Sequence, residues 1–378
     1  MSHTALITRE PVINQHRRIT ANRLIVHADS VEQAVSSLDG LADVWPEQHM
    51  VSVSLHHLLP DRALLEWLVP ANTMLEIPTA ALGYPEVQAL LPELAGQNFQ
   101  FNLSWYQGQA LPPERAWRFV LVDARHDPLP LDPPGLTLAW GLPDLQAFDA
   151  AIEKGYTGAS GWFFLDGLPL ASTLAPSQHQ IIQVLNLIRK NAEIREIEAL
   201  LKQDVALSYK LLRYINGACF GLRCEIQSFR HALTILGYDK LWKWLSMLLV
   251  SASRDSSAAA LMQTSIVRGR FMENIAASFF PADELDNLFI TGAFSLLDLL
   301  LGTDMPKALS RMQLPGPVHE TLLGQNGIYT PFLQLAGALE AQSKLGLQEA
   351  AAELHLTADQ INRAHLEALC FAGTLQVS

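Results

Sequence analysis

The chain has 378 residues, 49% of them apolar and 17% charged, with a net charge of −12. That length exceeds one ordinary core and points to two or three domains, and the composition excludes disorder as the dominant state. The acidic balance argues against a general nucleic-acid binder, and no apolar run reaches the roughly 18 residues that would span a bilayer.

Residues 1–170 hold fifteen of the 21 prolines, and none lies between Ser177 and Phe280. Proline lacks the amide donor and clashes with the preceding turn, so the proline-free stretch reads as packed helices. In the first half, strands are expected at Met50–Ser54, Met74–Ile77, Phe99–Trp105, Arg118–Val122, Leu136–Trp140 and Gly161–Leu165. Between them, Ser30 with Gln33 forms a capping box ahead of a helix running to Val44, and Pro85–Ala95 and Pro143–Lys154 are further helices. The alternation implies a parallel sheet and allows a barrel, and since a standard eight-fold barrel needs roughly 250 residues, this one would be trimmed or incomplete. Two crossovers, Gln107–Ala116 and Arg125–Gly135, carry too many prolines for helices. With its helical cover lost at 106–117 and 124–135, the sheet needs another apolar surface over it.

The segment from Asp166 to Pro176 reads as a connector. Helices are then expected at Ile194–Lys202, Val205–Ile215, Phe229–Leu236, Asp239–Ser251, Ala258–Phe279, Asp283–Leu301, Pro306–Arg311, Val318–Leu323 and Pro331–Lys344. Thr357 with Gln360 caps a last one. Charge is uneven along the chain: residues 171–254 hold 11 basic against 6 acidic side chains, whereas residues 1–170 hold 9 against 19. A basic block in an acidic protein either meets an acidic partner or is a solvated helix surface.

In the second half the Asp204-Val205 pair, Leu211–Asn216, Phe220-Gly221 and Ala232–Gly237 follow one another in the order and spacing of an HDOD domain, a regulatory relative of the HD phosphohydrolases. The first half is similar to an EAL domain, the barrel that hydrolyses cyclic di-GMP. Glu10–Ile19 resembles its opening, Leu75-Glu76-Ile77 its metal-binding strand, Val120–Asp123 a later strand and Gly155–Phe164 its close. The two in this order resemble the YuxH-like signalling proteins. The resemblance implies a degenerate, TIM-barrel-derived EAL-like domain over 1–170 packed on an HDOD helical domain over 171–378.

Carried over position by position, the EAL equipment is largely absent. Arg23-Leu24-Ile25 stands in place of Glu-Ala-Leu, Ser52 in place of a ligating Asn, and Asn102-Leu103 in place of paired aspartates. Leu121 replaces a Lys, Trp140 a Glu and Ser160 a Gln, which leaves Glu76 and Asp123 as remnants. Arg23 either pairs with a ligand phosphate or forms a salt bridge to Glu76. In the helical half, Ser295 and Leu296 occupy the places of the HD ligands. No catalytic residue, cofactor site or metal site is expected.

Other groupings have plainer readings. His56-His57 is expected on the surface with the two rings pointing apart, and Cys219, Cys224 and His231 have zinc-like composition but no fourth ligand. Gly155, Gly158 and Gly161 read as turn formers, not a phosphate loop. Trp242 and Trp244 around Lys243 read as core more readily than as a binding hot spot.

The leading expectation is a cytoplasmic signalling protein, not an enzyme, that works by binding other proteins, with no membrane or nucleic-acid partner and with a second copy of the chain as an alternative partner. A start of Met-Ser-His-Thr without a signal pattern, and three cysteines in no disulfide framework, carry the location. The runners-up are a residual cyclic di-GMP phosphodiesterase using Glu76 and Asp123, and a cyclic dinucleotide sensor without catalysis.

Overall fold

A computed structural model describes residues 4–111, 116–166, 176–201, 226, 228–251, 258–341 and 343–374. It contains a closed barrel of eight strands in sequence order: β1 Leu6–Asn14, β2 Ile19–His27, β3 Met50–Leu55, β4 Thr73–Pro78, β5 Gln100–Ser104, β6 Phe119–Asp123, β7 Leu136–Trp140 and β8 Gly158–Ser160. The barrel is therefore trimmed but not incomplete. Strands β2 to β8 run parallel, while β1 is antiparallel to both of its neighbours and closes the ring. The hairpin that reverses the chain is held by Asn14, whose side-chain oxygen accepts from the amides of His16 and Arg18 at 3.0 and 3.1 Å.

Three helices, α1 Val31–Asp39, α2 Pro85–Gly96 and α3 Leu145–Glu153, lie in the crossovers. Their starts are set chemically. Ser30 accepts from the Gln33 amide at 3.2 Å and Asp144 from Ala147 at 2.8 Å, while Pro85 stands in the first turn of α2. Among the described residues the crossovers after β5 and β6 hold no helix. Aromatic side chains do part of that covering, with Trp117 buried edge-on against Phe101 at 6.3 Å. The expected strand at Gly161–Leu165 is instead a 3-10 turn over Phe163–Leu165, with β8 three residues earlier.

Helices follow in the rest of the chain: α4 Pro176–Arg189, α5 Ile194–Leu201, α6 Phe229–Ser251, α7 Ala258–Ala276, α8 Ala282–Phe294, α9 Leu297–Leu301, α10 Met305–Leu309, α11 Gly316–Leu322, α12 Thr330–Glu340, α13 Lys344–Glu353 and α14 Ala358–Thr374. Gly237, at φ 75°, kinks α6 where two helices were expected. Leu296 is non-helical and separates α8 from α9, which were expected as one helix.

The chain divides into two compact units, Met1–Gly167 with Gly337–Cys370, and Leu168–Ala336 with Phe371–Ser378. Residues 337–370 group with the barrel in the first of these units. Asn362 of α14 shows why. Its buried amide accepts from the Ile7 N–H at 3.0 Å and donates to the Ala5 carbonyl at 2.7 Å, completing the backbone at the start of β1. Arg363 adds an ion pair to Asp43 at 2.7 Å.

Candidate functional site

Side chains alternate across a strand, so every second residue of β1 to β8 faces the barrel interior. At one level those residues are apolar: Val12, Ala21, Leu121 and Leu138 pack together. At another they are polar. Register sets Glu10 beside Arg23, Arg23 beside Ser52, Ser54 beside Glu76, and Glu76 beside Asn102.

The Arg23 guanidinium lies between two buried carboxylates. Nε and Nη2 donate to the two oxygens of Glu76 at 2.6 and 2.7 Å, and Nη1 donates to Glu10 at 2.7 Å. Ser54 also donates to Glu76 at 3.1 Å, while Ser160 and the Trp140 indole donate to Glu10 at 3.0 and 2.9 Å. Asn102 is committed separately, donating to Ser52 at 2.9 Å and accepting from the Phe119 amide at 3.2 Å. Burial works against the charge on Arg23, but Glu76 and then Glu10 outweigh it and raise its pKa above the ordinary range. Burial likewise opposes the charge on Glu76, and the guanidinium reverses that, holding its carboxyl below the usual range. The remaining cavity is about 20 Å³, room for about one water molecule.

The sequence-derived positions Arg23, Ser52, Glu76, Asn102, Leu121 and Ser160 all line this one interior. Of the two readings of Arg23, the geometry shows the salt bridge to Glu76. Asp123 is placed elsewhere, at the end of β6, in a two-pronged pair with Arg125 at 2.9 and 2.8 Å. Arg125 lies 4.4 Å over the Trp140 ring, and the exposed Trp105 meets the same ring edge-on at 4.9 Å. Glu10 is the residue that sequence reading missed. Its signal was an acidic residue at a strand position on the same side as Val12, obscured by Pro11 and by the unrecognised β1–β2 hairpin.

An EAL-type metal pair would need carboxylates and amides with free oxygen donors. These residues do not fit one: Glu10 and Glu76 face a guanidinium, and Asn102 turns its oxygen to a backbone amide. In the helical unit, Ser295 ends α8, donating to the Gly292 carbonyl at 2.7 Å and accepting from Arg268 at 2.9 Å, and Leu296 is buried. Among the described residues no group of three or more His, Cys, Asp and Glu is placed to hold a metal ion. Asp204-Val205, Leu211–Asn216, Phe220-Gly221, Cys219 and Cys224 lie outside the described residues.

Two smaller groupings resolve. The His56 and His57 rings do not point apart; their centroids are 3.7 Å apart, and His27 adds a third ring 4.7 Å from His56. Lys243 is buried in the helical unit, donating to Glu273 and Asp286 at 2.7 Å each beside a buried Trp242, which is core architecture.

Comparison with known proteins places the helical half. The HDOD domain model matches residues 172–312. This chain carries an HDOD domain. Outside that domain its description is a closed eight-stranded barrel. The chain is 28% identical over 223 residues to cyclic di-GMP phosphodiesterase CdgJ of Vibrio cholerae, covering 58% of this chain and 52% of that one. It is 25% identical over 234 residues to the uncharacterized protein YuxH of Bacillus subtilis, covering 59% and 55%. The chain thus spans about half the length of these relatives. The calcium and cyclic di-GMP complex of BlrP1 from Klebsiella pneumoniae is similar at 14% identity over 43% of this chain and 55% of that one. Its TM-score of 0.33 is too slight to bear on this chain. The expectation that the chain is not an enzyme is corrected by these matches. A relative 28% identical to this chain is named a cyclic di-GMP phosphodiesterase. Among the described residues no helix is long and apolar enough to cross a membrane.

Proposed function

We propose that this chain is a signal-transduction protein that acts by contact with other proteins, through its HDOD domain and through a barrel of degenerate EAL type, within cyclic di-GMP signalling. The carrying observation is the HDOD match over 172–312 in a chain related to CdgJ. The barrel supports it by position. Residues aligned to the EAL motif fall on successive strands and line one interior, as a shared ancestor would leave them. The basic surplus of residues 171–254 favours an acidic partner surface.

Immobilised full-length chain tests this. It should retain a defined protein from a cell extract, and retention should fall as salt rises. A Glu198→Lys variant, which adds positive charge beside Arg230, should retain more of it. Absence of salt-sensitive retention would remove the reading.

The name of the Vibrio relative favours a second reading, hydrolysis of cyclic di-GMP, with the dinucleotide at the barrel. Glu76 and Asp123 are the remnants that would serve it. Linear dinucleotide formed from cyclic di-GMP by the full chain with manganese, and abolished in Glu76→Gln, is the result that would carry this reading against the first. Product that persists in Glu76→Gln would place the activity elsewhere.

A further inference from the structure

Glu10, Glu76 and Arg23 are 1, 4 and 6% exposed, so two carboxylates share a space almost without solvent. Like charges in such a space repel strongly, and each has also lost its hydration. An arrangement of this kind persists only with a cation between the carboxylates or with one of them protonated. Here the cation is covalent. The guanidinium turns one edge to Glu76 and offers its remaining nitrogen to Glu10, so three of its donors are spent on two carboxylates. The excess negative charge is met by neutral donors, the hydroxyls of Ser54 and Ser160 and the Trp140 indole. The hydrogen-bond partners of the guanidinium are oxygens: carboxylate oxygens of Glu10 and Glu76, and the Ser54 hydroxyl at 3.5 Å. Oxygen-only donor sets of this charge suit hard divalent cations.

We propose that Arg23 is the resident cation of the barrel, doing between Glu10 and Glu76 the neutralising work that a divalent ion does between paired carboxylates, and that the two carboxylates form a latent site for a hard divalent cation when the guanidinium is withdrawn. The disagreement with an EAL metal pair then has a physical content: the charge of the metal has been moved into the chain. Two expectations separate. The native protein owes none of its stability to divalent cations. A variant without the guanidinium owes much of its stability to them.

Thermal unfolding of the full chain in chelator, in millimolar magnesium and in millimolar manganese reads both. The wild type should unfold at the same temperature in all three. Arg23→Ala should unfold about 10 °C lower in chelator, since breaking a buried pair is strongly destabilising. Manganese at about a hundred times its Kd should return roughly half of that loss, and calorimetry should show one bound ion in Arg23→Ala and none in the wild type. The triple variant E10Q/R23M/E76Q, which removes all three charges, should be more stable than Arg23→Ala and indifferent to manganese. A manganese-dependent rise in the wild type would overturn the first half. An Arg23→Ala chain that neither binds manganese nor is stabilised by it would overturn the second. If Arg23→Ala does not fold, the triple variant decides: a folded triple variant upholds neutralisation as the role of Arg23, and an unfolded one overturns it.

Discussion

Gly269 of α7 and Gly292 of α8 meet backbone to backbone. A Cβ on Gly292 would stand 2.6 Å from the Gly269 nitrogen and 2.7 Å from the Arg268 carbonyl, and one on Gly269 would stand 2.6 Å from the Phe289 carbonyl. No side chain can yield there, because the obstructing atoms are main chain. The two helices approach as closely as they do because neither carries a Cβ at the crossing, and Phe289, Phe294 and Met272 pack around it fully buried.

Gly292→Ala should therefore destabilise the helical unit by about 1–3 kcal/mol, the range for inserting a methyl into a packed interior. Urea unfolding followed by circular dichroism measures it. A midpoint equal to that of the wild type would mean that the helices separate at no cost.

Acid should loosen the barrel unit before the carboxylates titrate. Burial, with Arg9 adding to it, pushes the His365 imidazole down to about 3, and burial, then His56, Lys344 and His57, push His27 down to about 4. Both groups have a folded pKa below the ordinary value of about 6.5, so the unfolded chain takes up their protons first. The stability they allow is complete above pH 6.5 and is lost as pH falls toward 4 and 3. His365 alone gives up about 2 kcal/mol between pH 6.5 and 5. The urea midpoint should drop across this window, and His365→Gln should flatten the drop. An unchanged slope in that variant would show that His365 is not a source of the pH dependence.

Asn362→Ala should cost about 2 kcal/mol or more, because it leaves the Ile7 N–H and Ala5 carbonyl without their partner in a buried place. Hydrogen exchange at Ile7 provides a local readout. Protection there should fall further than at Leu24 in the middle of β2. Equal loss at both amides would indicate general destabilisation and no specific clasp.

Gly141→Ala should release Arg125 from Trp140. The glycine sits at φ +79°, and a Cβ there would lie 2.5 Å from Arg125 Nε. Displacing Arg125 uncovers the indole that it overlies at 4.4 Å. Tryptophan fluorescence should become more accessible to acrylamide. Unchanged quenching would mean that the arginine finds another route over the ring.

Sequence reading located β3 to β7 to within two residues at either end, because each is a short run rich in apolar side chains, with Asn72 ahead of β4 and Gly135 and Gly141 on either side of β7. It missed the β1–β2 hairpin for a physical reason. Arg9, Glu10, Asn22 and Arg23 put charge and polarity at buried positions on both faces of those strands, so neither face reads as apolar. The same inversion hid Glu10 from the site. The capping boxes were legible because their chemistry is local: Gln360 donates its amide to Thr357 at 3.3 Å and its side-chain oxygen accepts from the Thr357 amide at 2.9 Å. Helix α13 was not, since Gly346 interrupts its first turn. The destination of α13 and α14 was beyond local reasoning altogether, as a capping signal says where a helix starts and nothing about what it covers.

The Asn362 clasp sets an order of events during synthesis. The ribosome delivers β1 before the other strands of the barrel, yet the groups at its start wait for a residue 355 positions later than Ile7. All eight strands and the whole HDOD stretch emerge while that end of the barrel is open. A nascent chain of this kind holds one finished edge in suspense until Asn362 has emerged, and whatever binds exposed strand ends in the cell has that interval in which to act.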